Sequence, residues 1–507
     1  MTTSGQPATA SSATSCAVRL LPVAVAACLA LGAAPAWAQR SNVTPTFSAS
    51  QEFTDNRNLS ATNREADAIT TLSPGIRWSS RSGRVQGSLD YSLSANFYAR
   101  DSSFNNIDNR LSADLSAELV EQYVFFDANA YISQQSVSAF GLQGERDTNA
   151  NSTEYGSLTL SPYFRGRPFG LFDFDARLTS TYSGALDGSI GSANSQDLSV
   201  SIGENVGAVG WSVVASRSYS SYEGGRSTTE DRINPRISYT FDRGLQVFVT
   251  GGYERNNVLT FEPEEYKNWG GGFSWQANPR TQFSVQVEDR YFGNSWNVSV
   301  SHRMRRAVLT YTDSNSDENI TTGSGAPLTT YDLFFAQFAS IEPDPVLRDV
   351  LVRNFLRATG LDPNQQATAG FVSNAVTVTR NQNLSLALQG RRNTLVLSAF
   401  ASSSRRVDTL SQAEDDLSQV SKITQQGVNL SLSHRLTQTA SVVMFASTQR
   451  TPDQDGVQGN TLDEVSLTWS DNIGPRSSVS VTGRHTRATG AFPYNENSLL
   501  ARFNYQF

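Results

Sequence analysis

Apolar and polar residues alternate with a period of two along most of this chain. At the carboxy end Leu499, Ala501, Phe503, Tyr505 and Phe507 share one parity, while Arg502, Asn504 and Gln506 share the other. From Val85 the apolar parity runs Val85, Gly87, Leu89, Tyr91, Leu93, Ala95, Phe97, Ala99, against Gln86, Ser88, Asp90, Ser92, Ser94, Asn96, Tyr98 and Arg100. Phe172, Phe174, Ala176 and Leu178 alternate with Asp173, Asp175, Arg177 and Thr179; Phe283, Val285 and Val287 alternate with Gln282, Ser284, Gln286 and Glu288. A strand sends successive side chains to opposite faces, so this period predicts strands with one greasy and one wet face. The wet face carries charges of both signs.

The connections alternate in length as well. Short turns recur at Ser80–Gly83, Asp242–Gly244, Asn278–Arg280 and Gly474–Arg476. Longer polar loops lie between them, at Ser183–Asn194, Val258–Glu265, Asp408–Ser421 and Thr451–Asn460. Greasy-out, wet-in strands with short turns at one end and long loops at the other predict an all-β chain. The architecture is a transmembrane antiparallel β-barrel with its short turns in the periplasm. The count is about 22 strands, within about 18 to 24, and it must be even if both ends lie on one side. The first strand begins near Val43 and the last ends at Phe507. Phe371–Arg391 counts as one strand, because only then does the parity close.

One segment, Ser314–Ala369, breaks the period. It opens polar and acidic and then turns helical. Asp344 is placed as an N-cap with Pro345 in the first helical position, and Gly360 and Pro363 mark the stop. Val346, Leu347, Val350, Leu351 and Phe355 recur at helical spacing, after a shorter apolar piece at Tyr331–Phe338. Two placements are open: an extracellular loop packed on its neighbours, or a segment folded into the lumen, where Leu347, Leu351 and Phe355 would form a gate.

Composition adds a route to the membrane. An apolar stretch from Leu20 to Ala34 follows Arg19 and precedes Ala36-Trp37-Ala38, the pattern of an export signal cleaved after Ala38. This divides the chain into a signal peptide, 1–38, and a barrel, 39–507. Lipidation at Cys28, after Val25-Ala-Ala, is the rival reading. Both cysteines, Cys16 and Cys28, lie in this leader, so the mature chain has neither a disulfide nor a thiolate metal site. No apolar stretch is long enough for a membrane-spanning helix. The net charge of −7 argues against nucleic acid as a partner. Lys267 and Lys422 are the only lysines; the preference for arginine fits GC-rich coding, or pairing with lumen carboxylates and lipid phosphates.

Several stretches resemble one family. They are Thr54-Asp-Asn-Arg-Asn-Leu-Ser60, Ile69-Thr-Thr-Leu-Ser-Pro-Gly-Ile76, Ala117-Glu-Leu-Val120, Asp127-Ala-Asn-Ala-Tyr-Ile-Ser-Gln-Gln135, His302-Arg-Met-Arg-Arg306 and Gln389-Gly-Arg-Arg-Asn-Thr394. The family is the outer-membrane β-barrel proteins associated with the PEP-CTERM system, encoded near exopolysaccharide gene clusters in Gram-negative bacteria. The resemblance implies an outer-membrane component of exopolysaccharide production or export, with exopolysaccharide and export machinery as partners, and supplies no catalytic residue. The final strand, ending on Phe507, resembles the closing strand that barrel assembly machinery reads. Outer-membrane lipid and lipopolysaccharide would surround such a barrel.

A catalytic centre is not expected, nor is a cofactor. His302, His434 and His485 each fall on the apolar parity of their strands, which faces lipid rather than a site. Asp173 and Asp175 share a wet face and could tune each other's pKa, but Arg177 follows on the same face, and an ion-paired network is the simpler account. The acidic pieces Glu262–Glu265, Glu414–Asp416 and Asp453–Gly456 lack the spacing of a complete calcium site. Trp78, Trp211, Trp269, Trp275, Trp296 and Trp469 fit interface girdles. Tyr98, beside Arg100, is the clearest candidate for stacking a sugar on the wet face. The lumen-lining candidates are therefore Asp90, Tyr98, Arg100, Asp173, Asp175, Arg177, Glu288, Arg290 and Arg502. The expected function is an outer-membrane channel for exopolysaccharide export or assembly, narrowed by the helical insert. The alternatives are a general solute porin and a surface structural or adhesive barrel. An uptake receptor is disfavoured, because no plug domain fits before Val43.

Overall fold

The computed structural model describes residues 41–507 except 82, 145–148, 190, 243, 319–330, 332–333, 336–337, 339–344, 360–370, 374 and 412–414. The leader with Cys28, the cap at Asp344 and the stop at Gly360 and Pro363 lie outside the described residues.

Twenty-two antiparallel strands close on themselves. In chain order they are β1 (Ser41–Thr54), β2 (Asp67–Arg81), β3 (Val85–Tyr98), β4 (Asn106–Val120), β5 (Val124–Ser136), β6 (Ser152–Gly166), β7 (Asp173–Ala185) and β8 (Ala193–Val206). There follow β9 (Val209–Tyr222), β10 (Thr228–Phe241), β11 (Leu245–Asn256), β12 (Glu264–Asn278), β13 (Thr281–Arg290), β14 (Gly293–Arg303) and β15 (Ala307–Glu318). The ring is completed by β16 (Thr377–Gln389), β17 (Asn393–Arg406), β18 (Ile423–Arg435), β19 (Ala440–Thr451), β20 (Asn460–Gly474), β21 (Ser477–Gly490) and β22 (Tyr494–Gln506). Every strand pairs with its chain neighbours, and β1 pairs with β22, from Thr46 opposite Gln506 to Thr54 opposite Ser498. Closure leaves no sheet edge, the one strand arrangement that satisfies every backbone group in hydrocarbon. The stretch Phe371–Arg391 contributes one strand, β16.

Turn and loop lengths follow the alternation in the sequence. The turn end holds both strand termini and short links such as 475–476 between β20 and β21; the loop end holds 55–66, 137–151, 407–422 and the long excursion 319–376. The outward face is apolar through the middle of the wall: Leu384, Leu397, Val428, Val465, Leu467, Val481 and Leu499 are all well exposed. Cross-strand partners share a face, and register places all six tryptophans named above on that outer side, with Trp78, Trp211, Trp275 and Trp469 towards the turn end. Charges on the outer face gather nearer the loop end, where Arg217, Asp231 and Arg255 stand opposite one another across three strands. Asp313 joins them there, holding Arg380 at 2.7 Å and accepting from the Trp296 Nε1 at 2.9 Å. On β12 the outward residues run from Lys267 to Trp275. At about 3.3 Å per residue that is about 26 Å along a tilted strand, close to the apolar band of an outer-membrane barrel.

Candidate functional site: the occupied lumen

The helical insert lies inside the barrel. Helix α1 (Pro345–Thr359) buries Val352 and Leu356, at 0% and 2% exposure, with Phe334 and Phe338 against Ala387 of β16 and Val396 of β17. Those two wall residues face inward, because their neighbours Leu386, Leu388, Leu395 and Leu397 occupy the outward parity. Both lie near the turn end, so the insert descends most of the depth of the lumen. On another side of the lumen Arg353 reaches the wall at Asp90 of β3, 3.2 Å away, and also holds Asp349 one turn back at 2.7 Å. Asp349 accepts the Tyr331 hydroxyl at 2.6 Å, and Arg353 lies over that tyrosine ring. An aromatic cluster of Phe334, Phe338 and Phe355 joins the helix to the preceding segment.

The expected gate residues fall in two groups. Leu347 and Leu351 are exposed, at 48% and 38%; Phe355 packs on Phe334 and Phe338; the face against the wall is Val352 and Leu356. The helix carries apolar residues on two flanks, and only the position of the wall decides which is covered.

Between the insert and the arc formed by β1–β3 and β20–β22 remains a cavity of about 480 Å³. Its lining runs from Gly144 in the 137–151 loop to Pro475 and Arg476 in the turn at the opposite end. Serines and threonines of the inward parity dominate it, and Arg353 and Leu356 of α1 contribute from the insert. Asp90 is salt-bridged to Arg77 at 2.7 Å, and Arg484 to Glu52 at 3.3 Å.

The other expected lumen residues fall as follows. Arg502 and Tyr98 line this cavity. Tyr98 is only 7% exposed and packs on Phe104 at 6.0 Å, which leaves little ring for a sugar. Arg100 does not line the lumen: β3 ends at Tyr98, and Arg100 sits exposed in the next loop with its backbone N–H donated to Asp67. Asp173 and Asp175 do not act as a carboxylate pair, since each has its own arginine, Arg167 at 3.1 Å and Arg165 at 3.0 Å. Arg177 holds Asp127 at 3.0 Å and covers the Tyr163 ring. Glu288 lines a smaller cavity of about 260 Å³ on β9–β13 and pairs with Arg232. In that cavity Arg236 covers the Phe248 ring from 3.3 Å. Arg290 sits buried at the loop end among Glu230, Glu254 and Asp317. Among the described residues no group of histidines and carboxylates is placed to hold a metal ion. The three histidines bond to Thr281, Asn393 and Asn497 on the outer face.

Residues 137–144 form a strap at the loop end, a feature the sequence pattern did not single out. It leaves from β5 and is tied to β20 and β22, seven and five strands round the ring. Asn460 donates its Nδ2 to the Phe140 and Gly141 carbonyls, and Tyr494 donates its hydroxyl to the Gln143 carbonyl. Helix α2 (Asp416–Gln419) brings Asp416, whose carboxylate accepts the Ala139 N–H at 2.6 Å and the Ser138 hydroxyl at 3.0 Å. Ala139 and Phe140 are buried with Phe371, Leu417, Val420 and Ile423. The signal was an apolar Phe140-Gly-Leu142 inside a polar loop.

Burial pushes the Asp416 carboxyl above the usual carboxylate range, against the lowering pull of its two hydrogen bonds. A raised pKa in the docked loop means docking favours the protonated acid. Docking is therefore firmest in acid and weakens as pH rises through the raised value. Hydrogen exchange of segment 137–144, corrected for intrinsic rates, should show protection that falls with rising pH, and Asp416→Asn should flatten that dependence. Asp416→Ala should cost the docking about 1–3 kcal/mol, since it leaves the Ala139 N–H without its acceptor.

No protein-family model matches the chain, and no curated protein matches it. Among solved structures it is similar to the FrpB iron transporter from Neisseria meningitidis, at 10% identity over 92% of this chain and 82% of that one, with a TM-score of 0.48. It is similar to the siderophore receptor PirA from Acinetobacter baumannii, at 8% identity over 91% and 80%, TM-score 0.46. A third is OccK2 of Pseudomonas aeruginosa, at 7% identity over 92% and 98%, TM-score 0.34. The fold itself stands on the closed pairing of this chain's own strands: a 22-stranded transmembrane β-barrel with a helical insert in its lumen.

Proposed function

We propose that this barrel is an outer-membrane channel serving the export or assembly of an extracellular polysaccharide, with solute size set by the insert. The observation that carries the channel reading is the polar cavity left between α1 and the β20–β3 arc, whose lining reaches both ends of the barrel. A wall of serine, threonine and paired charges offers a hydrated solute many interchangeable hydrogen bonds and no deep binding site, which suits passage. The sequence resemblance supports the polysaccharide part of the reading, with the cell's export machinery as partner. The apolar outer band and its tryptophans fit outer-membrane lipid and lipopolysaccharide. Phe507 closes the strand that assembly machinery would read.

Planar-bilayer recording tests this. The purified barrel should conduct, and the polysaccharide purified from the source cells should block the current, while neutral dextran of matched size should not. Conductance without polysaccharide-specific block would instead make it a general solute porin. No conductance would make it a structural barrel.

A further inference from the structure

We infer that the residual path selects anions, and that its solute is a carboxylated saccharide; this rests on the channel reading and names its substrate class. Six arginines line the path, Arg77, Arg110, Arg353, Arg476, Arg484 and Arg502, against three carboxylates, Glu52, Asp90 and Glu464. Adding Asp349, which holds Arg353 from the same helix, leaves the excess positive. The protein as a whole carries −7, so the positive lining is a local feature rather than a reflection of composition.

Three of these arginines form a series along one wall. Arg502 of β22 stands opposite Ser480, and Arg484 of β21 stands opposite Ser498, so the two are separated by four residues of register. Arg476 follows in the turn, where its carbonyl accepts the Gln506 N–H, another four residues on. At about 3.3 Å per residue the steps are about 13 Å each. An anion leaving one guanidinium meets the next before it returns to bulk water. Guanidinium is planar and presents paired donors that fit a carboxylate. The low-dielectric wall on one side and the insert on the other focus this field across a narrow path. The Arg484–Glu52 contact is 3.3 Å long and both side chains line the path, partly exposed, where a passing carboxylate can compete for the guanidinium.

In a salt gradient the reversal potential should have the sign of an anion-preferring pore. Oligogalacturonate should block the current at a concentration about tenfold lower than a maltooligosaccharide of the same length, a preference of one charge-assisted pairing. The double variant Arg484→Gln/Arg502→Gln should lose most of both preferences. A cation-preferring pore, equal block by the two sugars, or an unchanged double variant would each overturn the inference while leaving a working channel. Calorimetric titration of the detergent-solubilised barrel with the same two sugars separates the other failure. If the barrel does not conduct but still binds the oligogalacturonate preferentially, the anionic site stands and the channel reading falls. If it binds the two alike, or neither, the inference falls.

Discussion

Excision of residues 319–370, with Glu318 joined to Phe371 through a short glycine–serine link, is expected to raise single-channel conductance on the order of fivefold. Twenty-two strands at about 4.8 Å spacing, tilted as in other barrels, give a backbone cylinder of about 40 Å diameter. Into this space descends α1, about 22 Å long and with its side chains about 10 Å across, together with the aromatic segment at Tyr331–Phe338. What remains on the β20–β3 side is the 480 Å³ cavity. Removing the obstruction should therefore change the current far more than any single wall substitution. Val352→Asp is the point-mutation counterpart. It places a charge at a position with no exposure, and its desolvation would push the helix off Ala387 and Val396 rather than be borne in place. Its channel should flicker between the wild-type and the excised level. An excised barrel that folds and conducts at the wild-type level would remove the insert from any account of size selection.

The strands were legible because burial on one face alone forces the period of two, and a slip by one residue would turn every side chain to the wrong solvent. The same logic carried the outward placement of His302, His434, His485 and the tryptophans, whose parity could be read without knowing which strands meet. It failed at Arg100 because alternation was extended past the end of β3. Asp101 there caps a short turn by accepting the Ser103 N–H, and an Asp-Ser-Ser sequence was the available sign that the strand had stopped. The destination of the insert was not legible. A helix with apolar residues on two flanks does not say which flank meets a wall: Val352 and Leu356 are covered, and Leu347 and Leu351 are left exposed. The strap at 137–144 was not legible because its ties, Asp416 in a loop helix, Asn460 at the start of β20 and Tyr494 at the start of β22, come more than 250 residues further on. The cavity's positive lining was hidden for a related reason. Arg484 and Arg502 share the β21–β22 hairpin, but Arg77 precedes them by about 400 residues and comes to their wall only because β1 pairs with both β2 and β22.

Arg290 shows the same dependence on register at its most severe, and its replacement by methionine is expected to destabilise the barrel by about 3–5 kcal/mol. The guanidinium is 7% exposed and serves three carboxylates at once. Its Nε and Nη2 bond to Glu254 at 3.0 and 2.9 Å, its Nη2 to Glu230 at 2.6 Å and its Nη1 to Asp317 at 2.5 Å. Glu254 has no exposed side-chain surface and also accepts the Tyr291 N–H, while the Tyr291 hydroxyl donates to Asp317. Methionine keeps the volume of the stem but leaves three acids facing one another in a space from which water is largely excluded. Arg290→Lys retains the charge, yet one ammonium cannot reach three carboxylates in the planar geometry that guanidinium allows, so it should recover only part of the loss. If repulsion among the acids is the cause, Glu230→Gln added to Arg290→Met should restore stability although neither change does so alone. Urea unfolding in detergent, followed by tryptophan fluorescence, reads all five proteins, the wild type, Arg290→Met, Arg290→Lys, Glu230→Gln and the double variant. Equal midpoints for Arg290→Met and the wild type would mean that these carboxylates do not need the cation, and that the loop end of β10, β11, β13 and β15 is held by Val258, Tyr291, Val376 and Val378 alone.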